Sequence, residues 1–249
     1  SGMEIDIVVE EAGSCVFPEH LYNTSIRIQE LSGSTLCFIK NYQIFAKLMD
    51  KRKYDILHLN VFQALSLVYL SLAKRKGIPI RIAHSHNTML RKSRMWALKM
   101  VLHKIASKLF TKDATDLWAC SNAAAKFMFP SSSLKEQKYH FIPNGIDLQR
   151  FRFDEKERVI QRKNLHLEGT FVIGNIGRLC YQKNQSFLLD IFDKIHRKVP
   201  SSRLLLVGEG EMFTKFQKKA TSLGLDDDVI FYGTSNAVEK LLWAMDVFV

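Results

Sequence analysis

No apolar run in these 249 residues is long enough to cross a bilayer. The longest, Ala64 to Ala73, falls far short of the roughly 20 residues that a spanning helix needs. A secretory signal is also missing, because Ser1-Gly2-Met3 leads straight into the alternating pattern of Glu4 to Val9, so the expected setting is the cytoplasm. Only four cysteines occur (Cys15, Cys37, Cys120, Cys180), and no two form a Cys-x-x-Cys pair. That excludes a disulfide framework and a thiolate metal centre and implies reduced, mostly packed thiols. No internal repeat, low-complexity tract or metal-ligand cluster appears.

What is present is a composition of 47% apolar and 24% charged residues, which excludes disorder and suffices for one large core or two modest ones. The net charge of +11 fits nucleic acid, an anionic membrane surface or phosphorylated substrates. Aromatic residues interleaved with basic ones, a zinc motif and a recognition helix are all lacking, which counts against nucleic acid.

Short apolar runs alternate with longer amphipathic ones, the pattern of parallel sheets covered by helices. Strands are expected at Ile5 to Val9, Thr35 to Phe38, Ile56 to Leu59, Ile80 to His84, Leu117 to Cys120 and Tyr139 to Ile142, with helices at Gln43 to Lys51, Gln63 to Lys76, Met95 to Phe110 and Ala123 to Phe129. The turn Pro143-Asn144-Gly145-Ile146-Asp147 is the natural domain boundary. It divides residues 1–143 from 144–249, and Asn144-Gly145 is a candidate hinge. Beyond it lies a highly charged stretch, Arg150 to Lys163, after which the alternation resumes at Phe171 to Ile176, Leu204 to Val207 and Val229 to Tyr232. The chain opens on a strand and stops inside another, Asp246-Val247-Phe248-Val249, as expected of a fragment of a longer protein.

The strand ending at Gly177 runs into Arg178, Lys183 and Asn184 before an amphipathic helix, Phe187 to Lys198. Ligands of doubly wound folds bind at such carboxyl ends. Gly177 allows close backbone approach, and a guanidinium with an ammonium suits a diphosphate. The spacing alone fits solvated loop charges equally well. Val207-Gly208-Glu209-Gly210 only superficially matches a dinucleotide fingerprint, since Phe213 replaces the third glycine and two acids stand where donors are needed. Gly208 and Gly210, taken alone, are turn glycines.

Asp55-Ile56-Leu57-His58, Arg81-Ile82-Ala83-His84-Ser85-His86-Asn87-Thr88, Ala119-Cys120-Ser121, Ile142-Pro143-Asn144-Gly145-Ile146-Asp147, Gly177-Arg178-Leu179 with Lys183-Asn184, Val207-Gly208-Glu209-Gly210, Phe231-Tyr232-Gly233 and Met245-Asp246-Val247-Phe248-Val249 follow in a specific order. Together they resemble the retaining glycosyltransferases of family 4 in the GT-B class, and the segment from Arg81 to Thr88 is most similar to the capsular and exopolysaccharide branch. The resemblance covers nearly the whole chain. It implies an α/β fold of two facing Rossmann-like, doubly wound parallel-sheet domains, both incomplete here, the first on the acceptor side and the second binding the nucleotide sugar.

The same resemblance implies a retaining hexosyltransferase that uses a UDP-sugar or another nucleoside-diphosphate sugar, with neither cofactor nor metal, on a glycan or lipid-linked sugar acceptor. Arg178 and Lys183 would hold the donor diphosphate, with Gly177 and Asn184 beside them. Gly208, Glu209, Tyr232 and Gly233 would lie near the nucleoside, and His86 would reach the transferred sugar. The residues alone leave His86 open to being a buried, hydrogen-bonded loop histidine. The family's paired glutamates follow the Asp-Val-Phe-Val strand and are absent, so this fragment itself is expected to be inactive. Alternatives are an epimerase or phosphorylase of the same fold, neither of which should combine the Arg-Leu to Lys-Asn spacing with Arg-Ile-Ala-His-Ser-His.

One basic segment stands apart. From Asn87 to Lys112 there is no acidic residue, while Arg91, Lys92, Arg94, Lys99, Lys104, Lys108 and Lys112 are basic. On a helical wheel Met95, Leu98, Leu102, Ile105, Ala106 and Leu109 form the stripe expected to pack on the sheet, leaving Trp96 and Met100 outward among Lys92, Lys99, His103 and Lys104. A helix spanning Arg91 to Lys112 with outward apolar groups is expected to meet an anionic membrane surface at the inner face of the cell membrane.

Overall fold

The computed structural model describes residues 4–9, 26–31, 38–90, 94–135 and 139–249. The chain divides into two compact units, Ser1–Gly145 and Ile146–Val249. In the first unit, strands β1 (Ile5–Val9) and β2 (Ile26–Glu30) pair in parallel. A second, fully parallel sheet has the order β3 (Ile56–Val61), β4 (Ile80–Ser85), β5 (Asp116–Ala119), β6 (Tyr139–Phe141). Helices α1 (Phe38–Lys51), α2 (Val68–Arg75), α3 (Trp96–Phe110), α4 (Asn122–Met128) and α5 (Ser131–Leu134) lie between the strands.

The expected strand at Thr35 to Phe38 is corrected in part. Phe38 opens α1, and the rest of that segment lies outside the described residues, as do Cys15, Cys37 and Arg91 to Ser93. Phe38, Tyr42 and Phe45 recur at helical spacing, and their rings lie 6.3, 6.2 and 4.9 Å from that of Tyr69 on α2. A strand would have sent successive side chains to opposite faces, so aromatic packing at this spacing requires the helix. The strand that sequence reading missed is β2.

The second unit holds a parallel sheet of order β10 (Val247–Phe248), β7 (Phe171–Ile176), β8 (Ser202–Val207), β9 (Val229–Gly233). Its helices are α6 (Glu155–Asn164), α7 (Gln185–His196), α8 (Phe213–Ser222) and α9 (Val238–Ala244). The period of two along β8 explains why both faces need cover. Leu204 and Leu206 join one core with Leu189, Phe192 and Phe216. Leu205 and Val207 join another with Val172, Leu241 and Met245.

The charged stretch Arg150 to Lys163 contains α6, and its arginines fasten the unit. Arg158 donates to the carbonyls of Trp243 and Met245 at 2.6 and 2.8 Å, and Arg162 to those of Ala244 and Leu167, both at 2.9 Å. Both also meet Asp246, at 2.5 and 3.1 Å. Burial alone would raise the Asp246 pKa, but the Val172 N–H and the two guanidiniums draw it below the usual carboxylate range.

On helix α3 most of the stripe expected to pack inward is exposed, as is Trp96, which was expected outward, while His103, also expected outward, is buried. The buried residues of the helix are His103, Ala106 and Ser107. Leu98, Val101, Leu102, Ile105 and Leu109 are instead 49 to 55% exposed. Hydrogen bonding decides the matter. His103 Nδ1 accepts from Ala64 N–H at 3.1 Å while its Nε2 donates to Phe127 O at 3.0 Å, and Ser107 Oγ donates to Met128 O at 2.7 Å. These side chains satisfy main-chain groups at the turn before α2 and at the end of α4, groups that would otherwise be buried without partners. Of the expected inward stripe, only Ala106 is buried.

Candidate functional site

At the carboxyl edge of the second unit, three neighbouring strands deliver their loops side by side. After β7 come Gly177 and Arg178, after β8 Gly208 and Glu209, and β9 ends on Tyr232 and Gly233. Main-chain bonds knit them together: Gly177 N to Val207 O at 2.9 Å, Leu179 N to Glu209 O at 2.9 Å, and Gly208 N to Gly233 O at 2.7 Å. The glycines are demanded by this approach. A Cβ on Gly208 would stand 2.2 Å from Gly177 O, and one on Gly210 2.3 Å from Leu179 O. Without the family resemblance, sequence reading saw these as turn residues, because their spacing holds no trace of a partner loop.

Lys183 closes a short 3-10 turn and lies over Gly177, its Cε 3.4 Å from where a Cβ would be. Asn184 takes a left-handed conformation, φ 55°, and opens α7. The first turn of α7 carries no acidic residue, so the positive end of its dipole, next to Lys183 in the chain, is not offset there. Arg178 is exposed and forms an ion pair with Glu211 at 3.1 Å. Its carbonyl is held by buried Gln185, whose Nε2 donates to Arg178 O at 3.1 Å and to Asn175 Oδ1 at 3.2 Å. Gln185 was not foreseen; its place directly after Asn184 at a helix start was the available signal. Exposed Tyr232 and Glu209 complete the edge.

In the first unit β3 and the carboxyl end of β4 gather three imidazoles beside Trp118 of β5. His86 is half-buried, with Nε2 donating to Asn60 Oδ1 at 3.0 Å. Its ring lies 4.1 Å from that of His84, which is buried. His84 Nδ1 stands 3.1 Å from His58 Nε2, and Trp118 meets both rings edge-on. Burial, then the neighbouring His86 and His58, hold the His84 pKa down to about 4, and burial followed by His86 lowers that of His58. The histidine partners of His86 were not foreseen as a cluster, although His58, His84 and His86 all lay in the motifs named above. His86 thus belongs to the first unit and the diphosphate-binding candidates to the second.

Among the described residues no group of three His, Cys, Asp or Glu could hold a metal ion, and Cys120 and Cys180 are free thiols. No helix among them is long and apolar enough to cross a membrane.

Residues 1–150 match the model of Glycosyltransferase Family 4, and residues 156–249 that of Glycosyl transferases group 1. EpsF of Bacillus subtilis is 25% identical over the whole chain, which spans 65% of that protein. The Escherichia coli UDP-Gal:alpha-D-GlcNAc-diphosphoundecaprenol alpha-1,3-galactosyltransferase is 27% identical over 82% of the chain and 53% of its own length. In fold, the chain is similar to Anabaena HepE in complex with UDP, with a TM-score of 0.74 and 18% identity over 99% of this chain and 73% of that one. WaaG, a lipopolysaccharide glycosyltransferase, is similar at a TM-score of 0.61 and 15% identity, over 99% of this chain and 66% of its own. The parallel-sheet α/β architecture is that of the GT-B glycosyltransferases.

Proposed function

Since the chain belongs to Glycosyltransferase Family 4, we propose that the protein it represents transfers a hexose, with retention, from a nucleoside-diphosphate sugar to a polysaccharide precursor or lipid-linked acceptor. The observation that carries the reading is the edge where Gly177, Arg178, Lys183 and the start of α7 meet the Gly208 loop. Lys183 lies over the Gly177 backbone there, with exposed Arg178 next in the chain and the positive end of α7 following, an arrangement suited to a diphosphate. A uridine nucleotide is the favoured donor, supported by the UDP-Gal named for the E. coli relative and the UDP-glucose held by HepE.

In the proposed reaction the bond from the anomeric carbon to the diphosphate breaks. The acceptor oxygen bonds to the same face, and its proton passes to the departing diphosphate. Arg178 and Lys183 neutralise the charge that grows on that leaving group, an effect worth roughly 10²- to 10³-fold in rate per well-placed donor. A divalent metal is not required in this scheme. Asn184 and Gly177 shape the cradle, while Glu209, Tyr232, Gly208 and Gly233 border the nucleoside. His86 is assigned to the transferred sugar. Free thiols such as Cys120 and Cys180 suit a reducing compartment, and the reaction is assigned to the cytoplasm.

Calorimetry with UDP and GDP, followed by NMR of the sugar product made by the full-length protein, tests this reading. Tighter binding of UDP and a product of the donor's own anomeric configuration are expected. Binding of neither nucleotide would remove the donor assignment, and an inverted product would remove retention.

A further inference from the structure

The ring of His86 is held in one orientation by its neighbours, and the pleat explains why they meet. Asn60 stands opposite His84 in the parallel register of β3 and β4. His58 lies two residues before Asn60, and His86 two residues after His84, just beyond the end of β4, so the period of two sends these side chains to one face. The backbone there is tied on both sides. Asn87 Nδ2 donates to Phe62 O at 3.3 Å, just past β3, and Cys120 Sγ, just past β5, donates to His86 O at 3.8 Å. The His86 ring rests against that of His84, with 4.1 Å between centroids and 39° between planes, and its Nε2 meets Asn60 Oδ1 at 3.0 Å.

An amide oxygen accepts and does not donate, so the ring nitrogen that faces it carries the proton. A neutral imidazole has one such proton. Nδ1 of His86 is then left with a lone pair, and it makes no hydrogen bond among the described residues. A carboxylate at position 60 would favour the imidazolium, in which both nitrogens donate; the amide favours a single neutral tautomer. We propose that Asn60 is a positioning residue for the transfer reaction: its side-chain oxygen holds neutral His86 with the proton on Nε2, so that Nδ1 accepts a hydrogen bond from a hydroxyl group of the transferred sugar. The inference rests on the assignment of His86 to that sugar and adds a polarity to it. A lone pair at Nδ1 selects an O–H group, whereas fluorine or an ether oxygen in its place brings no proton and leaves the nitrogen unpaired.

Long-range proton–nitrogen NMR of the full-length protein labelled in histidine tests the tautomer directly, with His86→Ala identifying the signal by its loss. At about pH 8, above the ordinary imidazole range, His86 should show a protonated Nε2 and an unprotonated Nδ1. Asn60→Leu sets methyl groups against Nε2 and should abolish that single signature, whereas Asn60→Asp keeps an acceptor in place and should retain it at this pH. Asn60 is exposed, so circular dichroism should show both variants folded. Asn60→Leu should lower kcat by roughly fivefold to tenfold, leave the Kd for UDP unchanged, and have no further effect when combined with His86→Ala. Asn60→Asp should recover most of that loss. A parent spectrum with the proton on Nδ1 would overturn the proposal, as would an Asn60→Leu protein with the parent's spectrum and kcat. Equal kcat for the parent and His86→Ala would remove the sugar assignment of His86, and with it the role given to Nδ1; that failure leaves the spectrum of the unliganded protein as expected and is thereby told apart from a failure of Asn60.

Discussion

At the carboxyl end of β4 three imidazoles and an indole crowd together, whereas at the carboxyl end of β7 a guanidinium and an ammonium stand exposed around a glycine turn. Both ends crown parallel sheets, so topology does not account for the contrast; the side chains do. A buried imidazole with a pKa near 4 is neutral at pH 7 and offers hydrogen bonds without net charge. The cations beside α7 offer charge and little shelter. The second unit's edge is therefore suited to an anionic group, and the first to uncharged hydroxyl groups.

The largest expected effect follows from that division. In the full-length protein, Arg178→Ala or Lys183→Ala should lower transfer by at least roughly 10²-fold and weaken nucleotide binding, with the fold intact. His86→Ala should lower kcat while leaving the nucleotide Kd nearly unchanged. Kinetics and calorimetry on the three variants check this. If His86→Ala weakens nucleotide binding as much as Lys183→Ala does, the division of labour is wrong.

A smaller effect concerns His84 and stability. Its ordinary pKa of 6.5 is held to about 4 in the fold. Above pH 6.5 both folded and unfolded forms are neutral, and the contribution to stability is fully present. As pH falls, the unfolded chain takes up the proton first, so stability declines from about pH 6.5 to about pH 4. A tenfold change in proton affinity is worth about 1.4 kcal/mol, which makes the loss on the order of 3 to 4 kcal/mol. Urea midpoints of the parent and of His84→Asn at neutral and acid pH should show the parent losing more. Parallel pH profiles would mean that the cluster is not held neutral.

The same contrast marks what sequence could convey. β7 stands where the apolar run Phe171 to Ile176 put it, and Gly177, Arg178, Lys183 and Asn184 meet at one edge because parallel topology leaves few other places for residues after a strand. Nothing local announced that Gly208 and Gly210 press against the carbonyls of Gly177 and Leu179, since that fit arises between loops. Arg158 and Arg162 registered in sequence only as part of a highly charged stretch, yet they bind carbonyls some eighty residues away. On α3 apolar periodicity pointed to the wrong side. Periodicity registers oiliness alone, and the helix turned to satisfy buried main-chain groups through His103 and Ser107.

The smallest effect distinguishes an obstructed cradle from an open one. Arg178 meets Glu211 at 3.1 Å, but the side chains are 68% and 38% exposed. Ion pairs so open to water contribute no more than about 1 kcal/mol. A diphosphate, with more charge and the helix N–H groups to help it, should displace Glu211 readily. Glu211→Gln removes both the competing pair and one repelling charge, so it should tighten nucleotide binding by no more than about fivefold at low salt, and by less at physiological salt, where exposed charges are screened. Calorimetry at the two salt concentrations measures this. A gain well beyond tenfold would make Glu211 a gate that holds the cradle shut. A loss would make it a ligand of the nucleotide, and the second unit's edge would then recognise its donor through an acceptor as well as through cations.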